Sequence, residues 1–235
     1  MATYLFITFA VTAILGFPIW AVLTTSCFVA LTMGSNTPLI VVVQRMFTAT
    51  DSFPSLAVPL FMVAGNLMET GGISRRLINF CNSILGWLPG GLGMAAILTC
   101  MFFAAISGSG PATVAAIGGI MIPEMEKAGY DKAFAAALMA VSGAIGVIIP
   151  PSIPMVNFGV VGSVSIATLF AAGFGPGILV GLALMIVTFI TAKKNGYGLA
   201  VKQKFSIVNV GKEFIKAFWA LLMPVIILGG IYGGI

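Results

Sequence analysis

The stretch AISGSGPATVAAIG, residues 105–118, places glycine, serine and proline in one of the most apolar parts of the chain, where a continuous helix is otherwise expected. No charged residue follows until Glu124. Gly108 can adopt the left-handed conformation that ends a helix, and Ser109 can cap the helix that comes next. Pro111 suits the first turn of that second helix, where its missing N–H costs nothing. The stretch therefore predicts a break between two helices.

The composition predicts an all-α polytopic membrane protein. Hydrophobic residues make up 60% of the chain and charged residues 7%, and the mean hydropathy is +1.14. A soluble domain has about 25% charged residues. The absence of histidine removes histidine-based metal sites and the usual serine–histidine or cysteine–histidine pairs, so no enzyme activity is expected. The net charge of +5 is interpreted as a sign of topology and not of nucleic-acid binding.

Six apolar runs divide the chain, and a bilayer crossing needs about 20 residues. The runs cover residues 3–33, 53–68, 91–123, 133–173, 174–192 and 217–235. The first is long for one crossing and is interrupted by Gly16 and Pro18, which predicts a single tilted or kinked membrane helix. It has no basic leader and no cleavage pattern, so it is expected to be the first membrane segment.

Residues 73–87 are amphipathic. The apolar side holds Ile73, Leu77, Phe80, Ile84 and Trp87, and the polar side holds Arg75, Arg76, Asn79 and Asn82. This spacing predicts a helix that lies in the membrane interface, with Trp87 as an anchor. Residues 38–50 have a similar mixture and the same prediction, with a plain solvated loop as the alternative.

The run 91–123 is too long for one ordinary span and too short for two spans with a turn. Six lysines between positions 193 and 216 predict a cytoplasmic loop. Counting back from that loop, a hairpin that enters and leaves on one side puts ten of the eleven basic residues in the cytoplasm and leaves only Arg45 outside. A single crossing would put Arg75 and Arg76 outside. A re-entrant hairpin is therefore predicted.

The tip of this hairpin would bring together helix ends of opposite polarity. Free carbonyl groups at the end of the first arm, with the hydroxyl groups of Ser107 and Ser109, suit a small cation. Free N–H groups at Ser109 and Gly110, with the Thr113 hydroxyl, suit a carboxylate. Irregular backbone at membrane depth is tolerated only where it is buried in protein or lines a wet cavity. An ion and a substrate are therefore expected here.

A second break is predicted in AIGVIIPPSIP, residues 144–154, which contains three prolines. Each proline lacks the N–H that would bond the carbonyl four residues earlier. The carbonyl groups freed in this way belong to Gly146, Val147 and Pro150. Ser152 can cap the helix that resumes. Such largely neutral oxygens suit Na⁺ better than they suit a transition metal. Secondary transporters build their binding sites from discontinuous helices of this kind.

Two amides lie within otherwise apolar segments. Asn66 and Asn157 each need a partner at membrane depth, because an unpaired buried amide is costly. For Asn157, which follows the second break, substrate contact and structural hydrogen bonding are equal alternatives. No ionisable residue lies in the middle of a span, which disfavours a proton relay and favours coupling to sodium.

Four stretches resemble the large membrane subunit of TRAP transporters, the tripartite ATP-independent periplasmic systems. They are DSFPSLAVPLFMVAGNLMETGGISRRLINF, ISGSGPATVAAIG, IPEMEKAGYDKAFAAALMAVSGAIGVIIPPSIPMV and GFGPGILVGLAL. The resemblance implies an elevator-type, sodium-driven secondary transporter with a re-entrant hairpin at 91–123 and a discontinuous transmembrane helix at 133–166. It also implies sodium ligands through backbone oxygens at Ser107, Gly146, Ile149 and Pro151. The proline pattern predicts Val147 as a ligand, whereas the resemblance implies Ile149, and both alternatives stay open.

The candidate sodium ligands are therefore Ser107, Ser109, Gly146, Val147, Ile149, Pro150 and Pro151. The candidate substrate contacts are Ser109, Gly110, Thr113, Ser152 and Asn157. No catalytic residue and no cofactor are expected, and Na⁺ is the coupling ion.

The resemblance also implies a division of the chain. Residues 1–90 would form scaffold and interfacial arm helices, and residues 91–173 the moving transport domain. Residues 174–235 would form a further scaffold helix, the basic cytoplasmic loop 193–216 and the start of a second repeat. Because the chain stops at GGIYGGI within an apolar run, it is expected to be the first of two inverted repeats and not to transport alone.

The implied partners are a small membrane subunit and a periplasmic substrate-binding protein that delivers an organic acid such as sialic acid or a C4-dicarboxylate. The implied location is the bacterial inner membrane, where the chain crosses the lipid bilayer several times. A stand-alone sodium-coupled dicarboxylate transporter of related fold is the alternative, and an ion channel a weaker one. An intramembrane serine protease is disfavoured, because neither a histidine nor a lysine at membrane depth is present to activate Ser109.

Overall fold

In the computed structural model, the described residues are 1–35, 38–50, 53–198 and 205–233, and the regular structure throughout these ranges is helical. The chain forms two compact units, Met1–Ser55 and Leu56–Ile235. Two of the described helices, Ile166–Asn195 and Ile207–Gly233, are long and apolar enough to cross a membrane. The all-α prediction is confirmed for the part of the chain that the structure describes.

The first unit contains α1 (Ala2–Ile14), α2 (Ile19–Gly34) and α3 (Leu39–Thr50). The first two pack against each other as an antiparallel pair, since a Cβ at Gly34 would lie 2.7 Å from the Cα of Met1. Gly16 has a φ of 77° and Pro18 stands directly before α2. The prediction of one tilted or kinked helix at 3–33 is therefore wrong, because a left-handed glycine followed by proline reverses the chain.

The remaining helices are α4 (Phe53–Thr70), α5 (Ile73–Leu85), α6 (Gly91–Ser107), α7 (Gly110–Thr113), α8 (Gly119–Lys127), α9 (Lys132–Ala144), α10 (Ile153–Gly162), α11 (Ile166–Asn195) and α12 (Ile207–Gly233). A π-helical turn, Val114–Gly118, joins α7 to α8, and a 3₁₀ turn, Ile145–Val147, follows α9. From Leu56 onward, these elements belong to the second unit.

Helix α5 has the two faces that the sequence predicts. Leu77 and Phe80 are buried, whereas Arg75 and Arg76 are exposed. The buried face packs against α6 and α12, so protein covers much of the apolar side. Trp87 lies just beyond the helix, where it is exposed and its indole N–H donates to the Ile84 carbonyl at 2.9 Å. Whether α5 lies in a membrane interface stays a prediction.

Helix α6 lies at the centre of the second unit. Of its 17 residues, 13 are buried, as expected for a helix that is apolar on all sides and is surrounded by other helices. Phe103 and Ile106 pack in one cluster with Leu77 and Met139, and Ile97 packs in another with Leu138. Because α6 is also the first arm of the predicted hairpin, that hairpin forms the core of the unit.

Several predicted boundaries differ from the observed ones. The second arm runs from Gly110 through the π turn to Lys127, past the predicted end at residue 123, because Pro123 is accommodated inside α8. The broken helix ends at Gly162 and not at 166, because Ser163 has a φ of 54° and the Ser165 hydroxyl caps α11 at Thr168.

The C-terminal boundaries also differ. The boundary predicted at 173/174 falls inside α11, which continues through Pro176. The predicted basic loop 193–216 is shorter, since α11 reaches Asn195 and α12 begins at Ile207. Residues 199–204 of that loop lie outside the described residues. On α12, Lys216 forms an ion pair with Glu213.

An aromatic cluster closes the base of the hairpin. Tyr130, in the turn between α8 and α9, stacks on Phe134 and on Tyr197 at the end of α11. Its hydroxyl accepts from the Gly93 N–H at the start of α6, at 3.3 Å. Burial raises the pKa of Tyr130, which keeps the hydroxyl protonated. The cluster therefore links the start of α6, the turn before α9 and the end of α11.

Glycines bring α11 close to the helices around the second break. A Cβ at Gly173 would lie 2.5 Å from the Ile148 carbonyl oxygen, and one at Gly177 would lie 2.5 Å from Cγ1 of Ile149. Further along, one at Gly181 would meet the Met101 sulfur on α6. These positions permit a close helix approach that larger residues would prevent.

We expect Gly173→Ala to destabilise the protein and Gly211→Ala, on α12, not to. The first places a methyl group against the backbone of Ile148 and should cost about 1–3 kcal/mol of unfolding free energy. The second meets no atom within 4 Å and should gain up to about 1 kcal/mol from helix propensity. Thermal unfolding of the full-length protein in detergent measures both, and equal midpoints would contradict the packing.

Candidate functional site

The first break lies between α6 and α7. Gly108 has a φ of 61°, and its N–H donates to the Ala104 carbonyl at 3.0 Å, which ends α6. The Ser109 hydroxyl accepts from the Ala112 N–H at 3.4 Å, and Pro111 occupies the first turn that follows. The predicted roles of Gly108, Ser109 and Pro111 are confirmed.

The second break lies between α9 and α10. After the 3₁₀ turn, the chain passes through Pro150 and Pro151, which are joined by a cis peptide bond. The Ser152 hydroxyl accepts from the Met155 N–H at 3.4 Å and so caps α10, as predicted. The same hydroxyl donates to the Val147 carbonyl at 2.7 Å.

The two breaks meet. The Ile153 N–H, at the start of α10, donates to the Gly108 carbonyl at 3.1 Å. A Cβ at Gly108 would lie 2.8 Å from the Pro151 carbonyl oxygen. A Cβ at Gly146 would lie 3.1 Å from Oγ1 of Thr113, which ties the 3₁₀ turn to the second arm. The break in each helix is therefore packed directly against the break in the other.

Hydrogen bonds within the tip fix its hydroxyl groups. The Thr113 hydroxyl donates to the Ser109 carbonyl at 2.8 Å and lies 3.2 Å from the Ser107 hydroxyl. The Ser109 N–H donates to the Ser107 hydroxyl at 3.4 Å. Both Ser107 and Thr113 are buried. In this arrangement the Thr113 hydroxyl proton is held by the tip itself, so Thr113 supports the geometry of the turn.

The carbonyl groups that the prolines leave without a helical donor differ in whether another group bonds them. Val147 was expected to be free, but its carbonyl accepts from the Ser152 hydroxyl, so that expectation is wrong. Within the described part of the chain, no donor reaches the carbonyl groups of Gly146 and Pro150. The Ile149 carbonyl is also without a donor among the described residues, because the Ile153 N–H bonds to Gly108 instead.

The remaining candidates lie apart from this contact. Asn157 is exposed on α10 and takes no part in the hydrogen bonds that join the breaks.

Gly143, interpreted from sequence only as a packing glycine, has its carbonyl oxygen 2.9 Å from the position of a Gly110 Cβ. No local sequence signal distinguishes Gly143 from the other glycines of the apolar segments, because the contact is made across two helices.

Two concavities flank the tip. One, of about 100 Å³, lies between α4 and the hairpin. It is lined by Phe61, Met62, Gly65, Asn66, Phe103, Ser107, Ser109 and Ala112. The other is an open groove of about 550 Å³ with mostly apolar walls. It is lined by Gly110, Pro111, Val114, Ala115, Ala140, Gly143, Ala144 and Val147.

The donor set at the junction suits an alkali ion. Neutral carbonyl and hydroxyl oxygens suit a hard monovalent cation, whereas transition metals prefer imidazole and thiolate ligands. In the ranges that the structure describes, no group of three His, Cys, Asp or Glu side chains could hold a metal. Adjoining breaks in apolar helices are typical of the membrane subunits of secondary transporters.

The family model for the tripartite ATP-independent periplasmic transporter, DctM component, matches residues 6–235. The chain is 49% identical over 227 residues to the isethionate TRAP transporter permease protein DctMQ of Oleidesulfovibrio alaskensis, covering 97% of this chain and 36% of that protein. It is 45% identical over 190 residues to the C4-dicarboxylate TRAP transporter large permease protein DctM of Pseudomonas aeruginosa, covering 81% and 44%.

A third relative is the sialic acid TRAP transporter permease protein SiaT of Haemophilus influenzae, at 42% identity over 192 residues, covering 82% of this chain and 31% of that protein. The chain therefore belongs to the DctM family of TRAP transporter large permease proteins, which are embedded in membranes. It spans less than half the length of these three relatives.

We expect Gly108→Ala to separate the two breaks. Alanine at this left-handed position costs about 1–2 kcal/mol, and its Cβ would also meet the Pro151 carbonyl oxygen at 2.8 Å. Gly119→Ala is the matched control, because no atom lies within 4 Å of the added group. Hydrogen exchange at Ile153 should accelerate in the first variant only, and unchanged protection there would contradict the junction.

Proposed function

We propose that this chain is part of the large membrane subunit of a sodium-coupled secondary transporter that imports an organic acid anion. The observation that carries the proposal is the direct contact between the two helix breaks, through the Ile153 N–H and the Gly108 carbonyl. Helix ends that meet within apolar surroundings give a transporter a cluster of backbone oxygens and N–H groups where ion and substrate can bind together.

The sodium site of this proposal is made of oxygens on both sides of the junction. The carbonyl groups of Gly146, Ile149 and Pro150 accept no hydrogen bond within the described residues, and their desolvation is otherwise costly. The Pro151 carbonyl and the oxygens of Ser107 and Ser109 complete the candidate set. Val147 is left out of the site, because Ser152 already bonds its carbonyl. Neutral oxygens bind Na⁺ without a change in protonation.

The substrate of this proposal is an acid that carries at least one anionic group. The relatives are named for isethionate, C4-dicarboxylates and sialic acid, which are all acids. Candidate anion contacts are the Ser109 hydroxyl and the Gly110 N–H at the start of α7, and the Ser152 N–H at the start of α10, because the Ser109 N–H and the Ser152 hydroxyl already donate within the protein. An ion bound among the adjoining carbonyl groups would attract the anion, which couples the two binding events.

The movement in this proposal is of the elevator type. The hairpin arms, α9 and α10 would move together as the transport domain, with the hairpin re-entrant from the cytoplasmic side. We include all of α11 in the moving part, although the sequence-based division put its residues from 174 onward in the scaffold. Its glycines contact both the second break and the first arm, which supports joint movement.

The partners in this proposal are a small membrane subunit and a periplasmic substrate-binding protein, in the bacterial inner membrane. The family description, a tripartite periplasmic transporter, supports both. Because the chain spans less than half of its relatives' lengths, we assign transport to the full-length protein and not to residues 1–235.

We expect uptake by the full-length protein to require a sodium gradient. Proteoliposomes that contain the membrane subunits, with the binding protein outside, should accumulate radiolabelled succinate, isethionate or sialic acid only with Na⁺ outside. Replacing Na⁺ with K⁺ is the control. Flux that runs equally without any ion gradient would favour the channel alternative, and proton-driven uptake would exclude sodium coupling.

We expect Gly146→Ala to weaken sodium activation. Its Cβ would lie 3.1 Å from Oγ1 of Thr113 and 3.2 Å from the Cα of Gly110, so the turn must shift by a few tenths of an ångström. The sodium concentration for half-maximal uptake should rise about tenfold, which corresponds to about 1.4 kcal/mol. Gly118→Ala is the control, because its added group makes only ordinary contacts at 3.7 Å. Equal sodium dependence in the two variants would contradict the proposed site.

A further inference from the structure

The cavity between α4 and the hairpin tip is built from two separate helical elements. On α4, Phe61 and Gly65 lie one turn apart, as do Met62 and Asn66, so one face of the helix is presented to the hairpin. A Cβ at Gly65 would lie 3.4 Å from the Cα and Cβ of Ser107. Gly65 therefore lies directly beside Ser107 at the tip.

The cavity contains polar groups that can donate hydrogen bonds. The Asn66 side chain makes no hydrogen bond to any described residue. The Ser109 hydroxyl accepts from the Ala112 N–H, and its own proton has no acceptor within the described part of the chain. The amide has two N–H donors and the hydroxyl has one. None of the residues of the second break, 144–154, lines the cavity, so the freed carbonyl groups lie elsewhere.

The cavity has room for a small polar group. Its volume of about 100 Å³ is well above the roughly 15 Å³ that one water needs, so a carboxylate or sulfonate group can enter it. The cavity also has apolar walls from Phe61 and Phe103, and the Asn66 side chain is exposed beside them. Hydrogen bonds to a charged group are stronger than those to a neutral one.

We propose that this cavity binds the oxyanion end of the transported acid, with the Asn66 amide on α4 and the Ser109 hydroxyl on the tip as donors. Asn66 is then a specificity-determining residue contributed from outside the hairpin and the broken helix. The proposal rests on the proposed transport function and adds to it the residue that recognises one end of the substrate. The remainder of the acid extends out of the cavity along the tip.

The test measures equilibrium binding by the full-length permease in detergent, with radiolabelled succinate and isethionate as probes at a series of NaCl concentrations. A carboxylate probe and a sulfonate probe show which oxyanion the cavity takes. Asn66→Asp places a negative charge beside the anion, and Asn66→Ala removes the donor. Asn79→Asp, on the exposed side of α5, makes the same charge change away from the cavity and is the matched control.

We expect Asn66→Asp and Asn66→Ala to weaken binding of the anion by about tenfold or more, as for loss of a hydrogen bond to a charged group. The sodium concentration dependence of Asn66→Ala and the behaviour of Asn79→Asp should match the original protein. If Asn66→Asp does not fold, the anion affinity of Asn66→Ala alone decides the outcome.

Binding within twofold of the original protein in both Asn66 variants would overturn this proposal while leaving the transport function intact. Weakened sodium affinity with unchanged anion affinity would also overturn it, because the cavity would then serve the ion. An original protein that binds neither probe in the presence of sodium would instead overturn the proposed function, and the Asn66 assignment with it.

Discussion

The hydrogen bond from the Ile153 N–H to the Gly108 carbonyl joins two helices at the points where each is interrupted. It satisfies one donor at the start of α10 with one acceptor at the end of α6, groups that would otherwise be costly to bury. The same bond diverts the Ile153 N–H from the Ile149 carbonyl, which is left without a donor among the described residues. The close approach depends on Gly108, where no Cβ blocks the Pro151 carbonyl.

Around this bond, hydrogen-bond acceptors and hydrogen-bond donors lie in different places. Carbonyl groups without donors gather at the second break, whereas the Ser109 and Asn66 side chains offer donors on the side of α4. Ser152 reduces the first set by bonding Val147, and Thr113 bonds the Ser109 carbonyl. In our proposal, the freed carbonyl groups bind the cation, and the donors of Ser109 and Asn66 bind the anion.

The helix caps and helix faces that depend on residues close together in the chain could be predicted from the sequence. Gly108, Ser109, Pro111 and Ser152 act through bonds to residues within about one turn, so their cap roles could be inferred from spacing alone. The faces of α5 followed from helical periodicity for the same reason. Asp131 and Ser165 cap α9 and α11 by the same kind of short-range bond.

Features that depend on tertiary packing were not predictable. The hydrogen bond to the Val147 carbonyl depends on where the Ser152 hydroxyl points, which spacing along the chain does not give. The continuation of α8 through Pro123 was also not evident from the sequence. The pairing of α1 with α2 depends on the chain reversing at Gly16, where the sequence was interpreted as a tilt or kink in a single helix. The cavity beside Asn66 joins residues about forty positions apart, a distance across which periodicity carries no information.

The aromatic cluster at the base of the hairpin has a mechanical consequence. Tyr130 contacts the start of α6 through Gly93 and the end of α11 through Tyr197, and the Gly198 N–H donates to the Ala128 carbonyl at 3.2 Å. Tilting the two arms about this end would pull these groups away from one another, whereas sliding all of them by the same displacement would leave every bond intact. The base thus resists separation of these helix ends and permits a displacement that they share.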